Sequence, residues 1–454
     1  MSFTSVNPAN GQILCTIESW DDSQLESVLQ QAAQALSLWS GNSAEQRCLL
    51  FTQLAEILLK RKEDLAQLIT LEMGKLIREA RAEIEKCALG CQYYAEQGAA
   101  LLADEIIISD AGKSYVSYQA LGTVLAVMPW NFPFWQVFRC AVPALAAGNT
   151  VLLKHASNVP QCAVAIEKIF TEAGFPPGVM RSVMVDSAKV EQLIADPRIH
   201  AVSVTGSVAT GRRIAACAGT HLKKVVLELG GSDAFIVLED ADLDDTVQHA
   251  VASRFQNAGQ SCIAAKRFIV VSKVAADFVT KFTMEIEKLR SGDPQTENTT
   301  LAPLARADLR DELHKQVSES IQQGAVATTG CAPLLGVGNY YLPSLLDRVA
   351  PGVRAYTEEL FGPVASVLRA RDEEDALRIA NDTSFGLGGS VWTRDSRRGE
   401  HLARRMHCGM AFVNGMVKSD PRLPFGGIKH SGYGRELSYL GAHEFTNIKT
   451  VWIK

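Results

Sequence analysis

The chain has 454 residues, 47% of them hydrophobic and 21% charged, enough to bury large cores and to divide into two or three domains. Its 45 basic and 50 acidic side chains leave a net charge of −5, and no dense basic run is present to track a phosphate backbone, so nucleic acid is not an expected partner. No window approaches the roughly 18 apolar residues of a membrane span, and the start of the chain lacks a basic stretch followed by an apolar one, so a cytoplasmic location without membrane contact is expected.

The first hundred residues read as helical. Ser23 with Glu26, and Ser43 with Gln46, have capping-box spacing ahead of apolar residues at helical period. Cys87 and Cys91 lie four apart on a predicted helix. With no C-x-x-C pair or His cluster among the ten cysteines, they read as small buried hydrophobes, and no metal is expected. Residues 105–109, the turn 110–113 and residues 114–118 read as a hairpin whose open edge could pair with another subunit.

From Gly122 the pattern alternates. Strand-like runs at 123–128, 150–153, 201–205 and 225–229 are separated by helical stretches such as 162–173 and 208–218, which predicts a parallel sheet covered on both faces. Ligands bind such sheets at the carboxyl ends of the strands, so the residues that follow each strand are the candidates.

After the first strand, Pro129-Trp130-Asn131-Phe132-Pro133 fixes Asn131 between two prolines. This suits an amide that donates to developing negative charge, or simply a rigid turn. After the second, Lys154 and Ser157 could meet a nucleotide ribose or its phosphate, although a Lys at a strand end is often just solvated. After the third, Gly206 and Ser207 open a helix whose free N–H groups favour an anion such as a pyrophosphate. After the fourth, Glu228 precedes Gly230-Gly231; burial would raise its pKa and make it a usable base, unless it pairs with Lys223 or Lys224. Further on, Cys262 sits among small residues in Gly259-Gln260-Ser261-Cys262, where a thiol could serve as a nucleophile.

These motifs, together with Glu358-Glu359-Leu360-Phe361-Gly362-Pro363 and Pro424-Phe425-Gly426-Gly427, resemble in order and spacing those of the aldehyde dehydrogenase superfamily, over nearly the whole chain. The resemblance implies that Cys262 attacks the aldehyde carbon, that Asn131 and the Cys262 N–H hold the oxyanion, and that Glu228 activates the water that cleaves the thioester. It implies cofactor contacts at Trp130, Asn131, Lys154, Ser157, Gly206, Ser207, Leu229, Glu359 and Phe361. Members that prefer NAD usually carry Glu at the Ser157 position. A hydroxyl there, with Lys154 nearby, favours a 2′-phosphate, so NADP is expected, with NAD possible.

Arg139 lies two helical turns past Asn131, where it could clamp a substrate carboxylate; with Lys154-His155 and the ending Gly434-Arg435-Glu436-Leu437-Ser438, it makes the chain most similar to the shorter, bacterial-type succinate semialdehyde dehydrogenases, which carry an Arg at this position. Arg139 lies among apolar neighbours and so needs a partner. A second Arg found in many longer enzymes is replaced by Gln256, which leaves carboxylate binding to Arg139 with help from Ser261 and Ser419. Glutarate semialdehyde or an aliphatic aldehyde is the alternative substrate, and a purely structural role does not account for Cys262, Glu228 and Asn131 together. The implied architecture is an α/β fold with a doubly wound cofactor domain (1–100 and 121–228), an α/β catalytic domain (229–430) and a small β-ribbon oligomerisation element (101–120 and 431–454). A homodimer or homotetramer is expected.

Overall fold

The computed structural model describes residues 2–454. Contrary to the all-helical reading, the chain starts with an antiparallel pair, Ser2–Val6 and Ile13–Glu18. Phe3 and Ser5 alternate inward there, a period of two that the helical pattern of the following segment obscured. The first helix, Asp22–Gly41, is capped two residues earlier than expected. Asp21 accepts from the Gln24 N–H at 2.9 Å and Gln24 returns a bond to the Asp21 N–H, while the Ser23 hydroxyl only donates to Asp21. Ser43 and Gln46 do form the expected box ahead of the helix Ala44–Lys60.

Two sheets carry the molecule. The first has six strands in the order Gly432–Tyr433, Lys224–Glu228, Ile199–Thr205, Thr123–Met128, Thr150–His155 and Met180–Ser182, all parallel except the first. The chain runs outward from Thr123–Met128 in one direction, then returns to its other side with Ile199–Thr205. The order therefore reverses between these two strands, and a crevice opens at their carboxyl ends. The second sheet has seven strands, with Asp233–Val237 and Ala265–Val271 near its centre and only Val326–Thr329 antiparallel. Cys262 lies just before the Ala265–Val271 strand, while Asn131 and Glu228 come from the first sheet.

A third sheet is the ribbon. Thr446–Ile453 pairs with Lys113–Ala120 along eight residues, and the short strand Glu105–Ile106 lies on the other side. The expected strand 105–109 is cut short. Beyond Ile106 it keeps a bond from the Ile107 N–H to Ser114, then turns through Ser109, whose hydroxyl bonds that of Ser114. Residues 431–454 span three elements: Gly432–Tyr433 joins the first sheet at Glu228, the helix Ser438–Glu444 follows, and Thr446–Ile453 is the ribbon strand. No helix among the described residues is long and apolar enough to cross a membrane.

Candidate active site

The helix Ile77–Leu101 organises both catalytic loops. Glu83, buried in an ion pair with Lys75, accepts from the N–H groups of Phe134 at 2.8 Å and Trp135 at 3.0 Å, and so caps the helix Trp135–Ala146 that follows the Asn131 loop. The Lys75 ammonium also lies 3.8 Å from the Phe132 ring centre. One turn earlier, Glu79 accepts from the Asn257 N–H at 3.0 Å and so ties down the loop that leads to Cys262. His155 fastens the Asn131 loop from the other side. Its ring bonds the Pro133 carbonyl through Nε2 at 2.8 Å and accepts from the Ala156 N–H at Nδ1, which fixes the neutral tautomer.

The Cys262 loop has an unusual backbone. Asn257, Ala258 and Gly259 are all left-handed (φ 53°, 52° and 72°), which is costly for the two residues that carry a Cβ. Surrounding groups hold it there. The Asn257 amide donates to the Asn131 carbonyl at 2.8 Å, and the Asn131 amide donates to the Gln260 carbonyl at 3.0 Å, so the two loops are cross-linked. The buried Arg254 donates to the carbonyls of Leu360 and Gly362, and a Cβ on Gly259 would strike the Gly362 carbonyl. This contact joins the Cys262 motif to the Glu359 motif. Lys266 completes the frame by donating to the carbonyls of Ser261 (2.7 Å) and Cys262 (2.6 Å) and pairing with Glu359 at 3.0 Å.

Cys262 is half-buried and opens on a cavity of about 230 Å³, whose wall includes Trp135, Arg139, Ser261, Ser419 and Phe425. Burial pushes its thiol up to about 12, against the pull of Arg139 and Lys266 and with a push from Glu359 and Glu228. Glu228 is fully buried and pairs with neither Lys223 nor Lys224: Lys223 donates to the Asp196 carbonyl and Lys224 pairs with Glu444. Neither Glu228 oxygen has a partner, and a Cβ on Gly426 would come within 2.7 Å of one of them. Burial raises the acid well above the usual carboxylate range, opposed by Arg139 and reinforced by Glu436. An unpartnered carboxyl whose proton affinity is raised in this way suits a base that takes a proton from water.

Arg139 is not free. It is sealed in an ion pair with Glu436, its guanidinium rests 4.1 Å from the Phe425 ring centre, and a weak bond of 3.5 Å reaches Thr205. The partner that its apolar neighbours demanded is a carboxylate of the C-terminal segment, which qualifies the expected role as a free clamp. Ser419 accepts from the Trp135 indole N–H at 3.0 Å and faces the same cavity, as Ser261 does.

A cavity of about 360 Å³ lies at the carboxyl ends of the first sheet, lined by Val127, Lys154, Thr210 and Arg213 among others. Lys154 donates only to the His155 carbonyl at 3.0 Å, which leaves its charge without a carboxylate. Ser157 is exposed at the next turn, and beside it both polar atoms of the Asn158 amide are buried without partners. Ser207 caps the helix Val208–Thr220 by accepting from the Thr210 N–H. The Gly206 N–H is not available to a ligand, because it donates to the Glu228 carbonyl at 3.0 Å; the anion-binding groups at this helix start are the N–H groups beyond Ser207. The space above Gly206 is open, while Gly211 lets the helix close on the buried Leu229. Trp130 and Phe361 meet edge to face at 6.0 Å, and Glu359 accepts from the Gly231 N–H at 3.2 Å. The crevice suits a phosphorylated dinucleotide, since a helix start and a cation without a carboxylate partner line it, with the exposed Ser157 hydroxyl three residues beyond Lys154.

Sequence reading missed Lys75, Glu79, Glu83, Arg254, Lys266 and Glu436. For Glu79, Glu83, Arg254 and Lys266 a signal was available, since each is a charge on the side of a helix or strand that the apolar period buries, where only a paired charge is tolerated; Lys75 and Glu436 lie in loops and carry no such signal.

A thiol in one cavity and a nucleotide-sized crevice at the switch point of a doubly wound sheet define an NAD(P)-dependent oxidoreductase. Residues 1–451 match the aldehyde dehydrogenase family, and the chain belongs to it. It is 48% identical to a probable succinate-semialdehyde dehydrogenase (NADP(+)) of Synechocystis sp., with all of both chains covered. It is also 48% identical to the succinate semialdehyde dehydrogenase (NAD(P)+) Sad of Escherichia coli K12, over 99% of this chain and 97% of that one. The crystal structure of succinic semialdehyde dehydrogenase from Streptococcus pyogenes, in complex with NADP+, superposes with a TM-score of 0.97 at 37% identity over 99% of both chains.

Proposed function

We propose that the protein oxidises succinate semialdehyde to succinate with NADP, accepting NAD less well. The observation that carries this reading is the cavity at Cys262, where a thiol, the Arg139 guanidinium and the hydroxyls of Ser261 and Ser419 line a space of about 230 Å³. That volume suits a short aldehyde with an anionic far end.

Cys262 gives its proton to the nearby Glu228 carboxylate, which must release it before the second step, and the thiolate attacks the aldehyde carbon; the oxygen that becomes an alkoxide is held by the Cys262 N–H and the Asn131 amide. Asn131 is already buried and anchored to the Gln260 carbonyl, so its placement costs little at the moment of reaction. Bound NADP supplies the acceptor for the hydride that leaves this carbon. The thioester that remains is cleaved by water, with Glu228 taking the proton and a free carboxylic acid leaving. Lys154 and Ser157 would hold the 2′-phosphate, the N–H groups beyond Ser207 the pyrophosphate, and Glu359, Trp130, Leu229 and Phe361 the remainder.

The ribbon carries exposed apolar side chains, among them Ile106, Ile108, Ile448 and Trp452, on a sheet with an open edge. We take it as the contact of a homodimer or a dimer of dimers, and light scattering would measure which. For the activity, the purified enzyme is assayed with succinate semialdehyde and with butanal, each with NADP and NAD. Equal kcat/KM for the two aldehydes would sink the substrate assignment.

A further inference from the structure

The cavity at Cys262 contains a cation that none of the motifs includes. Lys86, on the helix Ile77–Leu101, lines it, and its ammonium stands 4.8 Å from the Trp135 ring centre. We propose that Lys86, rather than Arg139 alone, is the cation that binds the distal carboxylate of the substrate. The inference rests on the substrate assignment above.

The argument is one of uncommitted charge. Arg139 is nine-tenths or more buried and already neutralised by Glu436, so a substrate carboxylate would have to compete with a bonded carboxylate for it. Lys86 has no hydrogen bond and no ion pair; only charges at a distance act on it. Arg139 repels it from the helix Trp135–Ala146. Glu83 attracts it from its own helix but is bound to Lys75 and to two N–H groups, and the Cys87 thiol beside it is kept protonated by burial and carries no charge. Asp420 attracts it from the C-terminal loop, but is itself paired with Arg422 at 2.6 Å. Lys418 lines the same cavity and adds positive charge. An ammonium in such surroundings gains most from an anion delivered by the substrate, and the Trp135 face steers it without satisfying it. Gln256, which also lines the cavity, supplies no charge in competition. Burial first, and Arg139 second, pull Lys86 down to about 8, so its charge is held at neutral pH and lost as the pH rises past about 8.

The test compares KM for succinate semialdehyde with KM for butanal, an uncharged aldehyde of equal length, in the wild-type holoenzyme, Lys86→Met and Lys86→Arg. Lys86→Met should raise KM for the acid aldehyde by about tenfold or more, with butanal unchanged within about twofold, and Lys86→Arg should restore much of the loss. In the wild type, KM for the acid aldehyde should climb above pH 8 while that for butanal stays level, and this limb should vanish in Lys86→Met. A preference that survives in Lys86→Met, or a loss shared equally by both aldehydes, overturns the role of Lys86 alone. A wild-type enzyme with no preference for the acid aldehyde overturns the substrate assignment and this inference with it.

Discussion

Arg139 and Glu436 form an ion pair enclosed between the helix Trp135–Ala146 and the C-terminal segment, with Ser203 donating to the far oxygen of Glu436 at 3.3 Å. The pair fixes the wall of the substrate cavity and the field around Glu228. Removing one partner leaves the other charged and unpaired in the interior, which costs about 3–5 kcal/mol. Arg139→Met and Glu436→Gln should therefore each lower the urea midpoint strongly, and the double variant should lose less than the two single losses added together. Additive losses would show that the two residues do not act as a pair.

Glu228→Gln should separate the two halves of the reaction. With Cys262 and Asn131 intact, one equivalent of NADPH per active site should appear in a burst, followed by turnover slowed by about a hundredfold or more. Cys262→Ser should show no burst. Because burial favours the protonated form of Glu228, wild-type thioester hydrolysis should quicken with rising pH over a range above that of an ordinary carboxylate, and this rise should be missing from the Gln variant. A Gln variant with wild-type steady-state turnover would remove Glu228 from the role of base.

Asn131→Ala should lower kcat by about 10²–10³ with little change in KM for NADP, the expected loss for one oxyanion donor. Stopped-flow measurement of NADPH formation reads this directly.

Ser157→Glu should reverse cofactor choice. A carboxylate in place of the hydroxyl repels a 2′-phosphate and accepts from ribose hydroxyls, so KM for NADP should rise by about tenfold to a hundredfold while KM for NAD falls. A clear NAD preference in the wild type that Ser157→Glu leaves unchanged would refute the assignment.

His155 makes the fold sensitive to acid. Burial holds its ring neutral down to about pH 4 against an ordinary value of 6.5, so below pH 6.5 the unfolded chain takes up a proton that the folded chain refuses. Its contribution is complete above pH 6.5 and declines as the pH falls to about 4, by roughly 3 kcal/mol in all. His155→Gln, which can still donate to Pro133, should flatten the fall of the melting temperature across that window. An unchanged slope would place the acid lability elsewhere.

The parallel sheet was legible because its strands are apolar runs bounded by clear breakers; Thr123–Met128 was delimited to the residue. The ends of those strands identified the chemistry, since Asn131, Glu228 and the Ser207 cap all sit where a doubly wound sheet presents ligand-facing residues. What stayed hidden was long-range pairing. Nothing local to Arg139 indicates that its partner lies 297 residues away at Glu436, or that the Gly206 N–H is spent on Glu228. Likewise Ser2–Val6 is too short for its alternation to stand out beside a strongly helical neighbour.

Glu79 and Glu83 stand one helical turn apart, and one grips the loop of the nucleophile while the other grips the helix behind the oxyanion donor. The separation of two groups drawn from different sheets is thereby metered by about 6 Å of helical rise, as if by a gauge block. A longer aldehyde cannot be accommodated by easing the two loops apart. Room for it must come from the part of the wall that neither glutamate holds, at Met416, Ser419 and Phe425, so variation in substrate length should be sought there while the two glutamates stay in register.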